Sequence, residues 1–251
     1  VSHERRADRD QATVRPGAES VYSAWKGWDE PEAFAAVGRG DDAYFRSELR
    51  EVCRLTEVRD VLEVGFGNGE FLGYCRRQDW AVTGTEILPE LVTTARGAGF
   101  TALGADELDT LPDASFDLIA GWDVFEHIDP AQSVEFLRGL RAKLRPHGAL
   151  FLRFPNADSW LGNAFQNGDP THVNAIGAHK MTYYAHEAGL RIVLFRGARR
   201  RGFQTSLIHG VHRMTAGAYA EVAGTLRRAV YFPALKVVLS TSDVVCVLSP
   251  E

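Results

Sequence analysis

From residue 60 onward, short β-branched runs alternate with stretches whose apolar positions recur at helical spacing. Strands are predicted at 60–64, 80–86, 100–104, 116–122, 149–154, 190–195 and 243–248. Helices are predicted at 70–77, 89–98, 129–144 and 179–188. The clearest is 129–144, where Asp129 suits an N-cap, Pro130 the first turn and Gln132 the back-bond of a capping box. Val134, Leu137, Leu140 and Leu144 then share one face, and Pro146 and Gly148 stop the helix. Strands alternating with helices predict a doubly wound α/β fold around a mostly parallel sheet.

Residues 1–20 are rich in Arg, Asp and Glu without apolar periodicity, which predicts a mobile tail. Residues 21–251 are expected to form one domain. Its first part, 21–56, reads as a helical lid with an amphipathic helix at 43–56. An excursion at 196–242, with a helix predicted at 216–228, separates the last two strands. So short a return lets the last strand pair antiparallel with its predecessor.

Composition narrows the classes. The 251 residues are 45% hydrophobic and 24% charged, as in globular proteins. Cys53, Cys75 and Cys246 show no metal-binding spacing, so a reducing, cytoplasmic setting is expected. No apolar run reaches the ~20 residues of a membrane span, and no signal-peptide core is present. A net charge of -5 argues against binding to bulk nucleic acid.

The strongest chemical signal is Val61-Leu62-Glu63-Val64-Gly65-Phe66-Gly67-Asn68-Gly69-Glu70, a strand ending in an acid and a Gly-x-Gly-x-Gly turn before a helix. Glycine lets the backbone turn sharply and approach a ligand, and the helix N-terminus offers free N–H groups. Glu86 ends the second strand, where a carboxylate can accept from both ribose hydroxyls. Asp106 and Glu107 follow the third, where a turn acid can accept from an adenine amine. The spacing is not the Gly-x-Gly-x-x-Gly of a pyrophosphate site. Glu63 would repel a dinucleotide but welcome an ammonium, and a nucleoside carrying an ammonium describes S-adenosylmethionine.

Over about 61–190 the chain resembles the class I S-adenosylmethionine-dependent methyltransferases. The glycine motif, Glu86, Gly104-Ala105-Asp106, Phe116-Asp117-Leu118-Ile119 and Leu144-Arg145-Pro146-His147-Gly148-Ala149 fall in family order. The resemblance implies seven strands with an antiparallel last strand. It implies that Glu63, Gly65 and Gly67 contact the methionine part, Glu86 the ribose, Ile87 the adenine ring and Asp106 its amine. Phe66, Gly69, Glu107 and Trp122 complete the candidate cofactor set.

Family members place acceptor chemistry after strands four and five, where open α/β sheets bind ligands. Here the loop reads Gly121-Trp122-Asp123-Val124-Phe125-Glu126-His127-Ile128-Asp129, which is not an amine-methylation motif. Asp123, Glu126 and His127 are spaced to share a face of one helical turn and could hold a divalent metal such as Mg or Mn. The stretch is similar to the Glu-x-x-Glu-His motif of ubiquinone-biosynthesis and small-RNA 3′-end O-methyltransferases, with Asp at the first position. The RNA group adds a later histidine, for which His172 stands here. Three readings stay open: a metal on Asp123, Glu126, His127 and His172; pocket residues or a base at His127, His172 or Asp123; and a purely structural turn.

Weaker features surround this core. Asn156, His172 and Asn174, in the long polar segment after the fifth strand, suit a polyhydroxy acceptor. Tyr22 and Trp25 could close over the cofactor, and Arg196 with Arg199-Arg200-Arg201 suits a phosphate or a solvated turn. Residues 226–239 are amphipathic; burial on the core is expected over a homodimer or membrane-surface contact. The function expected is methyl transfer to a hydroxyl of a sugar, glycan or other small metabolite. The alternatives are N- or C-methylation, RNA-end methylation, an inactive nucleoside-binding subunit and a nicotinamide-dependent dehydrogenase.

Overall fold

The computed structural model describes residues 26–28 and 33–251. The expected tail at 1–20, Tyr22 and Trp25 lie outside the described residues. The elements in chain order are α1 (Arg39–Glu48), α2 (Val52–Leu55), β1 (Asp60–Val64), α3 (Glu70–Arg77), β2 (Ala81–Glu86), α4 (Pro89–Gly97) and β3 (Thr101–Gly104). Then come a 3-10 helix (Ala105–Thr110), β4 (Phe116–Trp122), a 3-10 turn (Phe125–His127), α5 (Ser133–Lys143) and β5 (Leu144–Pro155). The chain continues through α6 (Asn163–Gly168), α7 (Ala178–Glu187), β6 (Leu190–Gly197), α8 (Leu207–His212), a π turn (Arg213–Gly217), α9 (Ala218–Tyr231) and β7 (Asp243–Pro250).

The strand order is β3-β2-β1-β4-β5-β7-β6. The first five sheet positions pair in parallel, and β7 runs antiparallel between β5 and β6. This is the seven-stranded, doubly wound sheet that the alternation predicts. Period-two alternation divides each strand between two faces. Leu118, Ala120, Phe151, Val245 and Val247 face Phe45, Leu49 and Val52 of the N-terminal helices and Phe71 of α3. Ile119, Leu150, Leu152, Cys246 and Leu248 face Leu137 and Leu140 of α5 and Met181 and Tyr184 of α7. Each large side chain withdrawn from water here contributes about 1.5–3 kcal/mol.

Three local expectations are corrected. The helix expected at 43–56 is two helices, because the chain turns at Leu49–Glu51 between α1 and α2. Asp129 does not cap α5. Its carboxylate accepts from the Ala131 amide at 2.7 Å in a turn ahead of the helix, which begins four residues later at Ser133. Residues 226–239 are buried on the core only at their end: Leu226, Val230 and Tyr231 are 60–72% exposed, whereas Val237 is buried and Val238 packs against the core.

The arginine run binds neither solvent alone nor an open anion site. Arg196 reaches the fully buried Glu48 at 2.6 Å, Arg199 pairs with Glu51 and Arg201 with Asp41. Arg196 at the end of β6, with Arg199 and Arg201 beyond it, therefore fastens α1 and the turn after it to the sheet. No helix among the described residues is long and apolar enough to cross a membrane.

Candidate active site

β1 ends in the glycine turn, with Gly65, Gly67 and Gly69 at φ +66°, +50° and +72°. These left-handed conformations explain the glycines. The turn's amides are largely satisfied within the protein. Gly65 and Phe66 donate to Thr85 O, Gly69 donates to Phe66 O, and Gly67 donates to a Glu86 carboxylate oxygen at 2.9 Å. Glu86 also accepts from the Ile87 and Leu88 amides, so its buried carboxylate is aimed by three backbone bonds. Burial raises its pKa against those bonds.

The remaining nucleoside candidates divide. Ile87 is exposed beside Glu86, as a platform for a flat ring requires. Asp106 is exposed, whereas the Glu107 carboxylate is committed to the Gly104 amide at 2.8 Å. Phe66 packs under β2, where a side chain at Gly84 would strike its ring. Trp122 packs among Phe45, Phe71 and Phe151, with ring centroids 4.5–5.4 Å apart. Phe66 and Trp122 thus support the cleft from the core.

Glu63 lies beneath the turn, buried, with one carboxylate oxygen without a hydrogen-bond partner. Burial first, and the neighbouring Glu86 second, push its pKa well above the usual carboxylate range.

After β4, Val124 packs directly on Gly65, which brings the following turn to the carboxyl ends of β1 and β4. Spacing alone predicts Asp123, Glu126 and His127 on one face, but the structure separates them. Asp123 adopts φ +56°, and its carboxylate forms a two-pronged pair with Arg153, including Nε to Oδ1 at 2.9 Å. Glu126 and His127 instead meet His172, and one potential ligand atom from each lies within 4.8 Å of the others. Both Glu126 oxygens are buried without a hydrogen-bond partner. Burial and the Asp123 charge raise the Glu126 pKa well above its ordinary value.

The two imidazoles meet edge to face, with centroids 4.6 Å apart. The His127 tautomer follows from its neighbours. Its Nδ1 lies 3.2 Å from Thr171 O, which can only accept, and 2.9 Å from Thr171 Oγ1. The Thr171 hydroxyl hydrogen is donated to Asp169 at 2.5 Å. Nδ1 therefore carries the proton, and Nε2 keeps its lone pair. Burial, then the charge of His172, lowers the His127 pKa. Asp169 is held at about 2; the Thr171 bonds and Lys26 overcome the effect of burial.

Lys26 and Trp28 tie the two halves together. Lys26 pairs with Asp169 at 3.0 Å, while the Trp28 ring stands where a side chain at Gly67 would be. Lys26 and Trp28 are two residues apart, so one short segment touches both the glycine turn and Asp169 beside the histidine pair. Sequence reading missed Lys26, Trp28, Thr171, Asp169 and Arg153. Only the aromatic texture before residue 45 hinted at a cover. Asn156 and Asn174 are fully buried and engaged: Asn156 bonds to Val238 O and Thr241 O, and Asn174 to Ser133 and Lys180. They shape the wall and are not available to an acceptor.

Residues 39–194 match the family described as Methyltransferase domain. A probable S-adenosylmethionine-dependent methyltransferase of Mycobacterium tuberculosis is 30% identical over 176 residues, covering 66% of this chain. The chain spans 62% of the length of that curated relative. A SAM-dependent methyltransferase from Archaeoglobus fulgidus superposes with a TM-score of 0.60 at 19% identity, covering 82% of this chain and 93% of that one. A TehB-like SAM-dependent methyltransferase from Corynebacterium glutamicum gives 0.55 at 15% identity, covering 94% and 100%. These two share the fold. With a match over more than half its length, the chain belongs to the methyltransferase-domain family, the class I S-adenosylmethionine-dependent methyltransferases.

Proposed function

We propose that the chain moves the sulfonium methyl group of S-adenosylmethionine to a hydroxyl of a sugar, glycan or other small metabolite. The observation that carries this reading is the buried, partnerless Glu126 carboxylate facing two imidazoles beside the glycine turn. The acceptor oxygen would attack the methyl carbon as the carbon–sulfur bond breaks, leaving S-adenosylhomocysteine, while its proton passes to a base. His127 Nε2, kept unprotonated by the bonds on Nδ1, suits that role. Glu86, Ile87 and Asp106 would hold the nucleoside, and Glu63 would complement the ammonium end. Positioning supplies most of the rate in such an in-line transfer.

Glu126, His127 and His172 also fit a divalent cation, since one carboxylate and two imidazoles suit Mn, and a cation would complete the orphaned carboxylate. A bound Mg or Mn would lower the pKa of the acceptor hydroxyl. Asp123 is not part of this set, being held by Arg153. The test is transfer of labelled methyl from S-adenosylmethionine to parallel panels of saccharides and amines, before and after chelation. Labelled saccharides that vanish on chelation and return with Mn support the metal; labelling that survives chelation assigns proton removal to His127. Labelled amines alone would refute hydroxyl transfer.

A further inference from the structure

The excursion between β6 and β7 is a helix turned inside out. Its glycines face inward: a side chain at Gly217 would strike Arg200, and one at Gly224 would strike Ser240. Its large apolar residues face outward. Leu207, Ile208 and Met214 on the first part, and Tyr219, Val222, Leu226 and Val230 on the second, are 60–79% exposed. A π turn widens the helix by about one residue. It joins the two apolar groups at Arg213–Gly217. Trp160, 64% exposed, joins the edge of this stripe, with the Arg227 guanidinium 5.9 Å from its ring. Monomeric proteins rarely expose a continuous apolar surface of this kind without a use for it.

Charge selects the occupant. Residues 203–236 carry Arg213, Arg227, Arg228 and Lys236 against the single acid Glu221, in a chain of net charge -5. A two-fold dimer through this face would set the same cationic surface against itself. An anionic bilayer would neutralise it and take up the apolar stripe, with Trp160 and Tyr219 at headgroup depth. No described helix is built to cross a membrane, so the contact lies in the surface plane. Because β6 runs parallel to β5, the excursion leaves from the end of the sheet that carries the candidate active site.

We propose that α8, the π turn and α9 form a docking surface for an anionic lipid bilayer. The test is flotation of the full chain with phosphatidylcholine vesicles, with and without phosphatidylglycerol. A juxtamembrane cation is worth about fivefold, so three net cations should favour the anionic vesicles by roughly 100-fold. High salt and R227E/R228E should erase that preference, and V222E/L226E should abolish flotation. S-adenosylhomocysteine affinity and thermal melting of each variant serve as controls that the fold survives. Failure of the native chain to float with anionic vesicles would overturn the proposal. So would a solution dimer that V222E/L226E dissociates, which would give the face to a second copy.

Discussion

Glu63 shows what a single buried acid can encode. Its folded-state pKa is raised, so the folded chain binds this proton more tightly than the unfolded one. Stability contributed at this position is therefore lost as pH rises above the ordinary carboxyl range. Glu63→Gln is expected to melt higher than the native chain at pH 8 and equally at pH 4, by scanning calorimetry without ligand. The same variant should bind S-adenosylmethionine more weakly at pH 8. Equal melting at both pH values would remove the electrostatic account. If His127 is the base proposed above, Thr171, bonded to its Nδ1, is a positioning residue. Thr171→Val removes one anchor of the Nδ1 proton and should lower kcat roughly tenfold. It should shift the acidic limb of the pH–rate profile without changing S-adenosylhomocysteine affinity, and Thr171→Ser should restore both.

At the scale of elements, the docking of α1 rests on charge as much as on Phe45 and Leu49. Glu48 is fully buried against Arg196 and accepts from the Arg199 amide. Removing one partner of a buried pair strands the other, so Glu48→Ala should cost about 3 kcal/mol. That corresponds to a melting temperature lower by about 6–12 °C for a chain of this size. The strands, and the place of the glycine turn among them, were legible because β-branched runs and punctuating glycines are local signals. The turn after β4 was not. Its reading as one α-helical face failed because Asp123 takes a left-handed conformation and Phe125–His127 is a 3-10 turn. Arg153, which captures Asp123, lies thirty residues away, and no local pattern reports that contact. Likewise, the arginine run looked like a solvated turn because its acidic partners on α1 come about 150 residues earlier.

Across the whole molecule, residues 26–28 bridge the glycine turn and the loop that carries the histidine pair's partner Asp169, through Trp28 at Gly67 and Lys26 at Asp169. A cover of this kind governs escape more than entry. Trp28→Ala should weaken S-adenosylhomocysteine binding roughly three- to tenfold, mainly through faster dissociation in stopped-flow displacement. An unchanged off-rate would show that the strap merely packs.

The position of β7 reaches further. The seventh strand of this sheet in chain order occupies the sixth place, between β5 and β6, and Val244 through Leu248 are fully buried there. Until it emerges from the ribosome, β5 and β6 each present an unpaired backbone rim, open to adventitious pairing with other nascent chains. Closure of the sheet therefore waits on its seventh strand, and chaperone demand should peak in the interval before that strand pairs.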